Sequence, residues 1–314
     1  MDAVTETRTS SLTTAEPPCA ATLRWVEECL GSGSVVKMVR PLLGGDSHVN
    51  HALLVETRSG IGHRLVLRRW AHPGEAALDH HEFSPEREIA ALALLAGCEI
   101  PTPCLVAADP SGVHCDAPAL LITRLIGHPP RPSSEELPEY LIQLAAALLA
   151  VHAVKGGATM PPYIPHNRLD SRLPPRAALR PQLWDRAFEI AAGPAPAADA
   201  HFIHRDYHPD NTLWSNGRLT GIVDWSSASY GPAAVDIAHM RRDLTLQYGV
   251  GAADRFLDTF DQVSGGYTHD PYWDVRCVVD LLPETCVRAI SDCRIPVLEE
   301  YLISRIAQIT TSPW

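Results

Sequence analysis

The chain reads HRDYHPDN over residues 204–211, IVDW over residues 222–225 and PAAVD over residues 232–236. Between the first two stretches lie two short strand-like runs, which are separated by Ser-Asn-Gly. The Asn216-Gly217 dipeptide tolerates positive φ and is typical of a tight hairpin turn. Because a hairpin brings its two ends together, we expect Asn211 at the entrance and Asp224 at the exit to lie close to each other.

The first stretch fits H-R-D-x-x-x-x-N, the pattern of a kinase catalytic loop. In that pattern Asp206 accepts the proton of a substrate hydroxyl, and we place His204 and Arg205 beside it in the catalytic set. Asn211 and Asp224 supply two oxygen ligands, which suit a hard cation such as Mg²⁺. The pattern therefore predicts phosphoryl transfer from ATP, or from GTP, to a hydroxyl group, with Mg²⁺ as cofactor.

With these motifs the sequence resembles the aminoglycoside phosphotransferases and their choline, homoserine, sugar and macrolide kinase relatives. The resemblance extends from about Leu43 onward. It implies an α+β fold like that of protein kinases, with a small antiparallel-sheet lobe that carries one helix and a larger, mostly helical lobe. In that family the aspartate of the third stretch braces the catalytic loop from a helix N-terminus, so the resemblance assigns this role to Asp236.

A chain of 314 residues is long enough for two lobes with separate cores. Residues 1–18 are rich in Thr and Ser without an apolar period, which predicts a mobile tail. We expect a nucleotide-binding lobe over residues 19–125, and a catalytic and acceptor-binding lobe over residues 126–314. Within the first lobe, residues 101–106 and 119–122 are typical of strands.

A kinase nucleotide site needs a turn that covers the phosphates and a cation that binds them. The Gly-containing turn with Gly45 and Ser47 lies between two predicted strands, although two adjacent glycines are as typical of an ordinary hairpin. The chain has only two lysines, at positions far from the strand over residues 63–70, so the cation there must be arginine. Strand alternation places Arg68 on one face with Val66, which we expect to lie against adenine. A guanidinium can hold phosphate oxygens bidentately.

A partner for that cation follows on the next predicted helix, which starts at a Ser-Pro N-terminus typical of a helix. Glu88 lies on the apolar stripe of this helix. Burial of a carboxylate is costly unless it has a partner of opposite charge, so we pair Glu88 with Arg68. Glu86 is the competing choice if the helix starts elsewhere. Three further nucleotide contacts are expected at Thr123, Leu125 and Ile222.

Composition excludes several partner classes. The net charge is −11, and nucleic-acid-binding proteins usually have a basic surface, so nucleic acid is not expected as a partner. An acidic surface is compatible with binding of cationic small molecules, and it is equally explained by a need for solubility. No long apolar run or charged-then-apolar leader is present, so neither a membrane span nor a secretion signal is expected. The eight cysteines are scattered, which favours reduced thiols in the cytoplasm. Oligomeric state stays open.

The acceptor is less well defined. From residue 254 onward ten carboxylates stand against five arginines, which favours an aminoglycoside-like or other amino-containing acceptor, while a solvated helix face explains the same residues. Sugars, macrolides, choline and homoserine remain alternatives, as does a kinase-like binding module without catalysis. The short interval between Asp224 and Asp236 leaves no room for the activation segment of a protein kinase. The candidate acceptor-binding residues are Tyr207, Asp210, Trp225, Trp273, Asp274, Asp280 and Glu284.

Overall fold

Five strands form an antiparallel sheet in the order β1-β2-β3-β5-β4. The strands are β1 Val35–Leu42, β2 His48–Glu56, β3 Gly62–Trp70, β4 Leu105–Asp109 and β5 Ala119–Thr123. The computed structural model describes residues 16–42, 48–70, 84–282 and 292–311. Gly45, Ser47 and Glu284, together with most of the expected tail, lie outside the described residues.

The strand predicted from Pro101 begins later, at Leu105. Pro101 and Pro103 have no N–H group to donate to a strand ladder, so pairing can start only beyond them. This is a correction to the boundary, and the neighbouring prediction over residues 119–122 falls within β5.

Two helices accompany this sheet, one more than the single helix expected for this lobe: α1 Ala20–Cys29 and α2 Pro85–Leu95. The α2 helix starts where its residues favour it, because the Ser84 hydroxyl accepts a hydrogen bond from the Arg87 N–H at 3.3 Å and Pro85 occupies the first turn. Apolar side chains from α1 and the strands form one buried cluster that includes Trp25, Val26, Leu53, Val55, Leu65, Leu67 and Leu121.

The remaining helices are α3 Leu137–His152, α4 Pro181–Ala192, α5 Ala234–Tyr248, α6 Val250–Ser264, α7 Tyr272–Val279 and α8 Ile295–Thr311. Four of them, α4, α6, α7 and α8, contribute to a second apolar cluster with α5 packed alongside. Its large buried members are Trp184, Phe188, Val275, Val278, Leu298, Tyr301 and Leu302.

Two small antiparallel ribbons lie among these helices. One pairs β6 Ala200–Ile203 with β9 Ser229–Pro232, and the other pairs β7 Thr212–Ser215 with β8 Arg218–Ile222. The turn of the second ribbon has positive φ at both central positions, 50° at Asn216 and 71° at Gly217, which is the conformation expected for an Asn-Gly hairpin.

The described residues divide into two compact units. The first comprises the chain through Gly97, with Pro101–Leu125 and Trp225–Ser227, and the second comprises Cys98–Ile100, Ile126–Asp224 and Ala228 onward. No helix in the described part of the chain combines the length and the apolar character that crossing a membrane requires.

Candidate active site

The loop after β6 is held in a strained conformation by one buried carboxylate. Arg205 has φ of 69°, a left-handed conformation that non-glycine residues seldom adopt. Asp236, in the first turn of α5 and 0% exposed, accepts hydrogen bonds from the backbone N–H groups of His204 at 2.9 Å and Arg205 at 2.6 Å. His152 approaches the same carboxylate at 2.9 Å. The side chain of Asp236 therefore fixes the backbone that precedes Asp206.

His204 joins this loop to the end of the hairpin. Its Nε2 lies 3.0 Å from the Val223 carbonyl, and its Nδ1 accepts from the Asp206 N–H at 3.3 Å. These contacts fit a neutral imidazole that carries its proton on Nε2. Burial holds the pKa of His204 below its usual value, which favours that neutral form.

Asp206 is partly open to solvent, with 38% of its side chain exposed. Asn211 donates from its side-chain nitrogen to the Asp206 carbonyl at 3.0 Å and to Oδ2 at 3.1 Å. Burial alone would raise the pKa of Asp206, but the neighbouring imidazole of His208 holds it well below its ordinary value. Asp206 is thus an ionised carboxylate that is ready to accept a hydrogen bond from a hydroxyl group.

Two histidines beside Asp206 were missed by the sequence reasoning. His208 Nε2 lies 3.6 Å from Oδ2, and His239 Nε2 lies 3.8 Å from Oδ1. Burial would lower the pKa of His208, but Asp206 and Asp243 raise it to about 9. Burial, with Arg242 nearby, lowers the pKa of His239 well below its usual value. One oxygen of the base thus faces a charged imidazole and the other faces a neutral one.

A sequence signal for both histidines exists. His208 lies inside the catalytic-loop pattern at a position that the pattern leaves open. His239 follows Asp236 by three residues on α5, which puts the two side chains on one helix face. Helical spacing from the bracing aspartate could therefore have pointed to His239.

Asn211 and Asp224 lie at the open end of the β7–β8 ribbon, as the hairpin pattern predicts. Thr212 pairs with Ile222, and the Val223 N–H donates to the Asn211 carbonyl at 3.0 Å. Because the Asn211 side-chain nitrogen donates to Asp206, its amide oxygen is left as an acceptor. Asp224 has φ of 67°, a second left-handed residue at this site.

This donor set fits magnesium, which prefers carboxylate and amide oxygens. The described residues contain no group of three or more His, Cys, Asp or Glu side chains placed to hold a metal. A soft-metal centre of that kind is therefore not part of the described structure. The mixed Asn211–Asp224 pair is too small a donor set for a metal without help from substrate oxygens, which is how magnesium is commonly held at phosphate sites.

In the first unit, Arg68 of β3 and Glu88 of α2 form a buried ion pair. The Arg68 Nη1 lies 2.9 Å from both Glu88 oxygens, and the Arg68 Nε donates to Asn50 at 3.2 Å. Glu88 is 1% exposed, whereas Glu86 lies at the surface. The helix start at Pro85 thus resolves the choice of partner in favour of Glu88.

Removing this carboxylate should cost stability as well as nucleotide binding. Glu88→Gln removes the negative charge that faces the buried Arg68 guanidinium, and we expect a loss of about 3–5 kcal/mol in the free energy of unfolding. Denaturant titration measures that loss, and the KM for the nucleotide should rise in the same variant. Glu86→Gln is the matched control, two residues away at the surface. Equal stabilities of the two variants would contradict the role given to Glu88.

Comparison with known proteins places the chain in a family. Residues 39–273, more than half of its length, match the model of the phosphotransferase enzyme family, APH. The chain belongs to this family. The matched segment contains the Arg68–Glu88 pair, the catalytic loop, the hairpin and Asp236.

Curated relatives of this family member align over short stretches. Hygromycin-B 4-O-kinase of Escherichia coli is 38% identical over 40 residues, 13% of this chain and 12% of the kinase. N-acetylmuramate/N-acetylglucosamine kinase of Neisseria meningitidis serogroup B is 30% identical over 67 residues, 21% of this chain and 20% of that kinase. The aligned part therefore spans at most a fifth of either relative.

Solved structures share the fold over nearly the whole chain. A thermostable mutant of aminoglycoside phosphotransferase APH(4)-Ia, in ternary complex with AMP-PNP and hygromycin B, superposes with a TM-score of 0.63. The identity is 16%, and the match covers 94% of this chain and all of that one. The α+β fold of the protein-kinase-like phosphotransferases, expected from the sequence, is confirmed.

The other residues predicted to contact the nucleotide in this phosphotransferase differ in how far they are exposed to solvent. Val66, Thr123 and Leu125 are half-buried, and Thr123 accepts a hydrogen bond from the Cys104 N–H at 2.8 Å. Ile222 is 0% exposed and presents no surface to a ligand in this structure. Nucleotide contacts at Val66, Thr123 and Leu125 stay predictions. The predicted contact at Ile222 is corrected, because this side chain packs in the interior.

Three predicted acceptor contacts are corrected by their burial. Tyr207 is 0% exposed and its hydroxyl donates to the Leu144 carbonyl at 3.0 Å. Trp225 is also 0% exposed and belongs to the first unit. Asp274 is 0% exposed, bonded to Arg241 and to the Tyr301 hydroxyl. Each side chain is used inside a core, so none is available to an acceptor molecule.

Of the remaining acceptor candidates, two line a recess and one lies at the surface. Trp273 and Asp280 line a recess of the second unit together with His239. Asp210 lies at the surface, where Arg131 approaches it at 3.3 Å, and more than half of each side chain is exposed. Glu284 lies outside the described residues.

Proposed function

We propose that this chain is a small-molecule kinase that transfers the γ-phosphate of ATP to a hydroxyl group. The observation that carries the proposal is the Asp206 carboxylate, held by Asn211 at 3.1 Å on a loop that Asp236 fixes in a strained conformation. Strain of this kind is concentrated at functional sites. Membership of the phosphotransferase enzyme family supports the same conclusion.

The proposed chemistry needs positioning more than it needs a strong base. The acceptor hydroxyl donates to Asp206, its oxygen forms a bond to the γ-phosphorus, and the bond from that phosphorus to the ADP oxygen breaks. The hydroxyl proton passes to Asp206 as the new bond forms. Phosphoryl transfer passes through a loose transition state, so orientation of the hydroxyl by Asp206 matters more than the basicity of the carboxylate.

The chain's other residues have binding roles in this proposal. Arg68, fixed by Glu88, would hold phosphate oxygens of the nucleotide. Asn211 and Asp224 would hold Mg²⁺, which when bound neutralises negative charge on the phosphates. Solved relatives contain AMP-PNP with hygromycin B, or ADP, and these complexes support a nucleotide as the donor.

Relatives of several kinds bear on the acceptor. A hygromycin kinase, a kinase for N-acetylated amino sugars and a macrolide 2'-phosphotransferase are all similar to this chain. Their common feature is a hydroxyl group on a sugar or sugar-bearing compound. We therefore propose a hydroxyl-bearing small molecule of this kind as the acceptor class.

The proposal is tested by ADP release from purified protein with Mg-ATP and a panel of hydroxylated acceptors. We expect at least one sugar or sugar-bearing compound to accelerate ADP release and to yield a phosphorylated product visible by mass spectrometry. A binding module without catalysis would release no ADP with any acceptor, and that result would refute the proposal.

The magnesium dependence provides a prediction for the two proposed ligands. Asn211→Ala and Asp224→Ala each remove an oxygen ligand, so the magnesium concentration for half-maximal rate should rise by about tenfold or more, roughly 1.4 kcal/mol. Asp210→Ala, one residue before Asn211 and exposed, is the control and should leave the titration unchanged. Unchanged titrations in both ligand variants would rule out the assigned metal position.

A further inference from the structure

The two carboxylate oxygen atoms of Asp206 have different surroundings. Oδ2 accepts a hydrogen bond from the side-chain nitrogen of Asn211 at 3.1 Å, and the charged imidazole of His208 lies 3.6 Å from it. Oδ1 faces His239, whose Nε2 lies 3.8 Å away, beyond hydrogen-bond distance. Because Oδ2 already has donors, Oδ1 is the oxygen atom with room for the hydrogen bond from the acceptor hydroxyl.

His239 is an uncharged neighbour of that oxygen atom. The residue is 8% exposed, and its burial together with the positive charge of Arg242 on the same helix lowers its pKa well below the usual value. Other elements bring Asp206, His208 and His166 toward the ring, and of these the Asp206 carboxylate opposes the decrease. A charged imidazole would form an ion pair with Asp206 and occupy Oδ1, whereas the neutral ring leaves it available.

A neutral imidazole carries one proton, either on Nδ1 or on Nε2. Nδ1 of His239 is buried and has no hydrogen-bond partner in the described part of the chain. A proton on Nδ1 would create a buried N–H group without a partner, which proteins tolerate less well than an unpaired acceptor. Nε2 faces the negative charge of Asp206, which favours a proton on that nitrogen. His239 therefore presents a neutral N–H donor to Asp206.

The gap between His239 Nε2 and Asp206 Oδ1 fits one oxygen atom. An oxygen atom about 2.8 Å from each of them lies at the apex of a triangle, with about 85° between its two hydrogen bonds. Catalytic hydrogen bonds commonly tighten when the substrate binds, and a small rotation of either side chain widens this angle. The Asp206 side chain is 38% exposed, so the position can be reached from solvent.

A hydroxyl group matches both sides of this gap. It donates its proton to Asp206, and one of its two lone pairs accepts from the Nε2–H group of His239. The second lone pair is then directed to the γ-phosphorus. A hydrogen bond to Asp206 alone would leave the hydroxyl group free to rotate about that bond, whereas two hydrogen bonds fix the direction of the attacking lone pair.

An ammonium group does not match the gap. It has three donors and no lone pair, so it cannot accept from the Nε2–H group of His239. The pair of Asp206 and His239 therefore selects a neutral hydroxyl group over a protonated amine at the reacting position.

We propose that His239 contacts the reacting hydroxyl group directly, with its neutral Nε2–H donating to the hydroxyl oxygen while Asp206 accepts the hydroxyl proton. The O–H bond breaks toward Asp206, the new oxygen–phosphorus bond forms, and the bond from phosphorus to the ADP oxygen breaks. His239 keeps its own proton throughout. This inference rests on the proposed kinase function and adds to it a second group that orients the acceptor hydroxyl.

Two substitutions separate the hydrogen bond of His239 from its packing. His239→Gln keeps an N–H donor near the position of Nε2, whereas His239→Met has a similar length without a donor. ADP release is measured with Mg-ATP and three acceptors: water, hygromycin B and N-acetyl-D-glucosamine. We expect kcat to fall by about tenfold or more in His239→Met, roughly 1.4 kcal/mol, and to stay within about threefold of wild-type in His239→Gln.

Denaturant titration and the KM for Mg-ATP are the controls for these two variants. We expect both quantities to stay similar in His239→Met and His239→Gln, because the proposed contact is made with the acceptor and not with the nucleotide. Equal kcat values in the two variants would overturn the proposal, since they would show that the donor at this position has no effect on turnover.

The position of the proton on His239 can be measured without any acceptor. In the intact protein labelled with ¹⁵N-histidine, the ring nitrogens of His239 are assigned by their loss from the NMR spectrum of His239→Gln. At pH 7 we expect a proton on Nε2 and none on Nδ1. A proton on Nδ1, or on both nitrogens, would overturn the proposal.

These outcomes separate the inference from the proposed function. If an acceptor is phosphorylated equally well by His239→Met and His239→Gln, the role of His239 is wrong while the kinase function stands. If no acceptor yields ADP, the kinase function fails and this role fails with it, while the NMR measurement still shows whether the ring presents a donor to Asp206.

Discussion

Asp206→Asn should lower kcat by about 10²–10⁴-fold, the range that loss of a positioned general base produces. The amide cannot take a proton from the acceptor hydroxyl, although it keeps the size and one acceptor oxygen of the carboxylate. Nucleotide binding and stability should stay near wild-type, because the side chain is 38% exposed and Asn211 can still donate to it. Steady-state ADP release and denaturant titration measure both expectations.

Asp210→Asn is the matched control for this variant. It changes an aspartate of the same loop to the same amide, at a surface position where Asp210 pairs with exposed Arg131 at 3.3 Å. Surface ion pairs of this kind contribute only about 0–1 kcal/mol to stability, so the fold of this variant should be unchanged. We therefore expect its kcat to equal that of the wild type. If Asp206→Asn retains more than about a tenth of the wild-type kcat, a difference of about 1.4 kcal/mol, then Asp206 is not the base.

The catalytic hairpin could be predicted because its contacts are local. Asn211 and Asp224 are brought together by one ribbon whose turn is specified by Asn216 and Gly217. Short-range spacing and turn chemistry are enough for such an element. The position of Asp236 against the loop came instead from the family resemblance, and the two backbone hydrogen bonds give that position its physical basis.

The acceptor side could not be predicted because its determinants are long-range pairings. Asp274 looks available in the sequence, yet its partners Arg241 and Tyr301 lie 33 and 27 residues away along the chain. Tyr207 lies inside the catalytic motif, but its hydroxyl reaches Leu144, 63 residues earlier. Counting charges or aromatic residues along a sequence gives no information on which of them a fold pairs with one another.

His239 illustrates an intermediate case. Helical spacing places it on the same face as Asp236, so its direction could be derived from the sequence. Its neutrality could not, because burial and the nearby Arg242 lower its pKa, and both follow from tertiary packing. The difference between the two oxygens of Asp206 is therefore visible only in the folded chain.

Asp236→Asn is expected to have the second-largest effect, on stability and on catalysis together. The carboxylate is 0% exposed and accepts from two backbone N–H groups and from His152. An amide would turn its NH₂ group toward one of these donors and leave that donor unsatisfied. We expect a loss of about 3–5 kcal/mol in the free energy of unfolding, the range for removing one partner from a buried ionic contact. Denaturant titration measures this loss.

The catalytic part of this prediction depends on Arg205, whose φ of 69° is stabilised through the hydrogen bond from its N–H to Asp236. When that bond weakens, the loop can relax to an ordinary conformation and move Asp206 away from the acceptor hydroxyl. A displacement of about 1 Å costs about 10²-fold in rate, so kcat should fall by at least that factor in the fraction that remains folded.

His152→Leu separates the two effects of Asp236. This variant removes the side-chain donor to the carboxylate but leaves both backbone hydrogen bonds to the catalytic loop in place. Stability should therefore fall while kcat stays within about threefold of wild-type, roughly 0.7 kcal/mol in activation free energy. If Asp236 affected catalysis only through overall stability, kcat would fall in both His152→Leu and Asp236→Asn. The two decreases in kcat would then be proportional to the two losses in the free energy of unfolding. Such proportional losses would show that Asp236 holds the fold together without positioning the base.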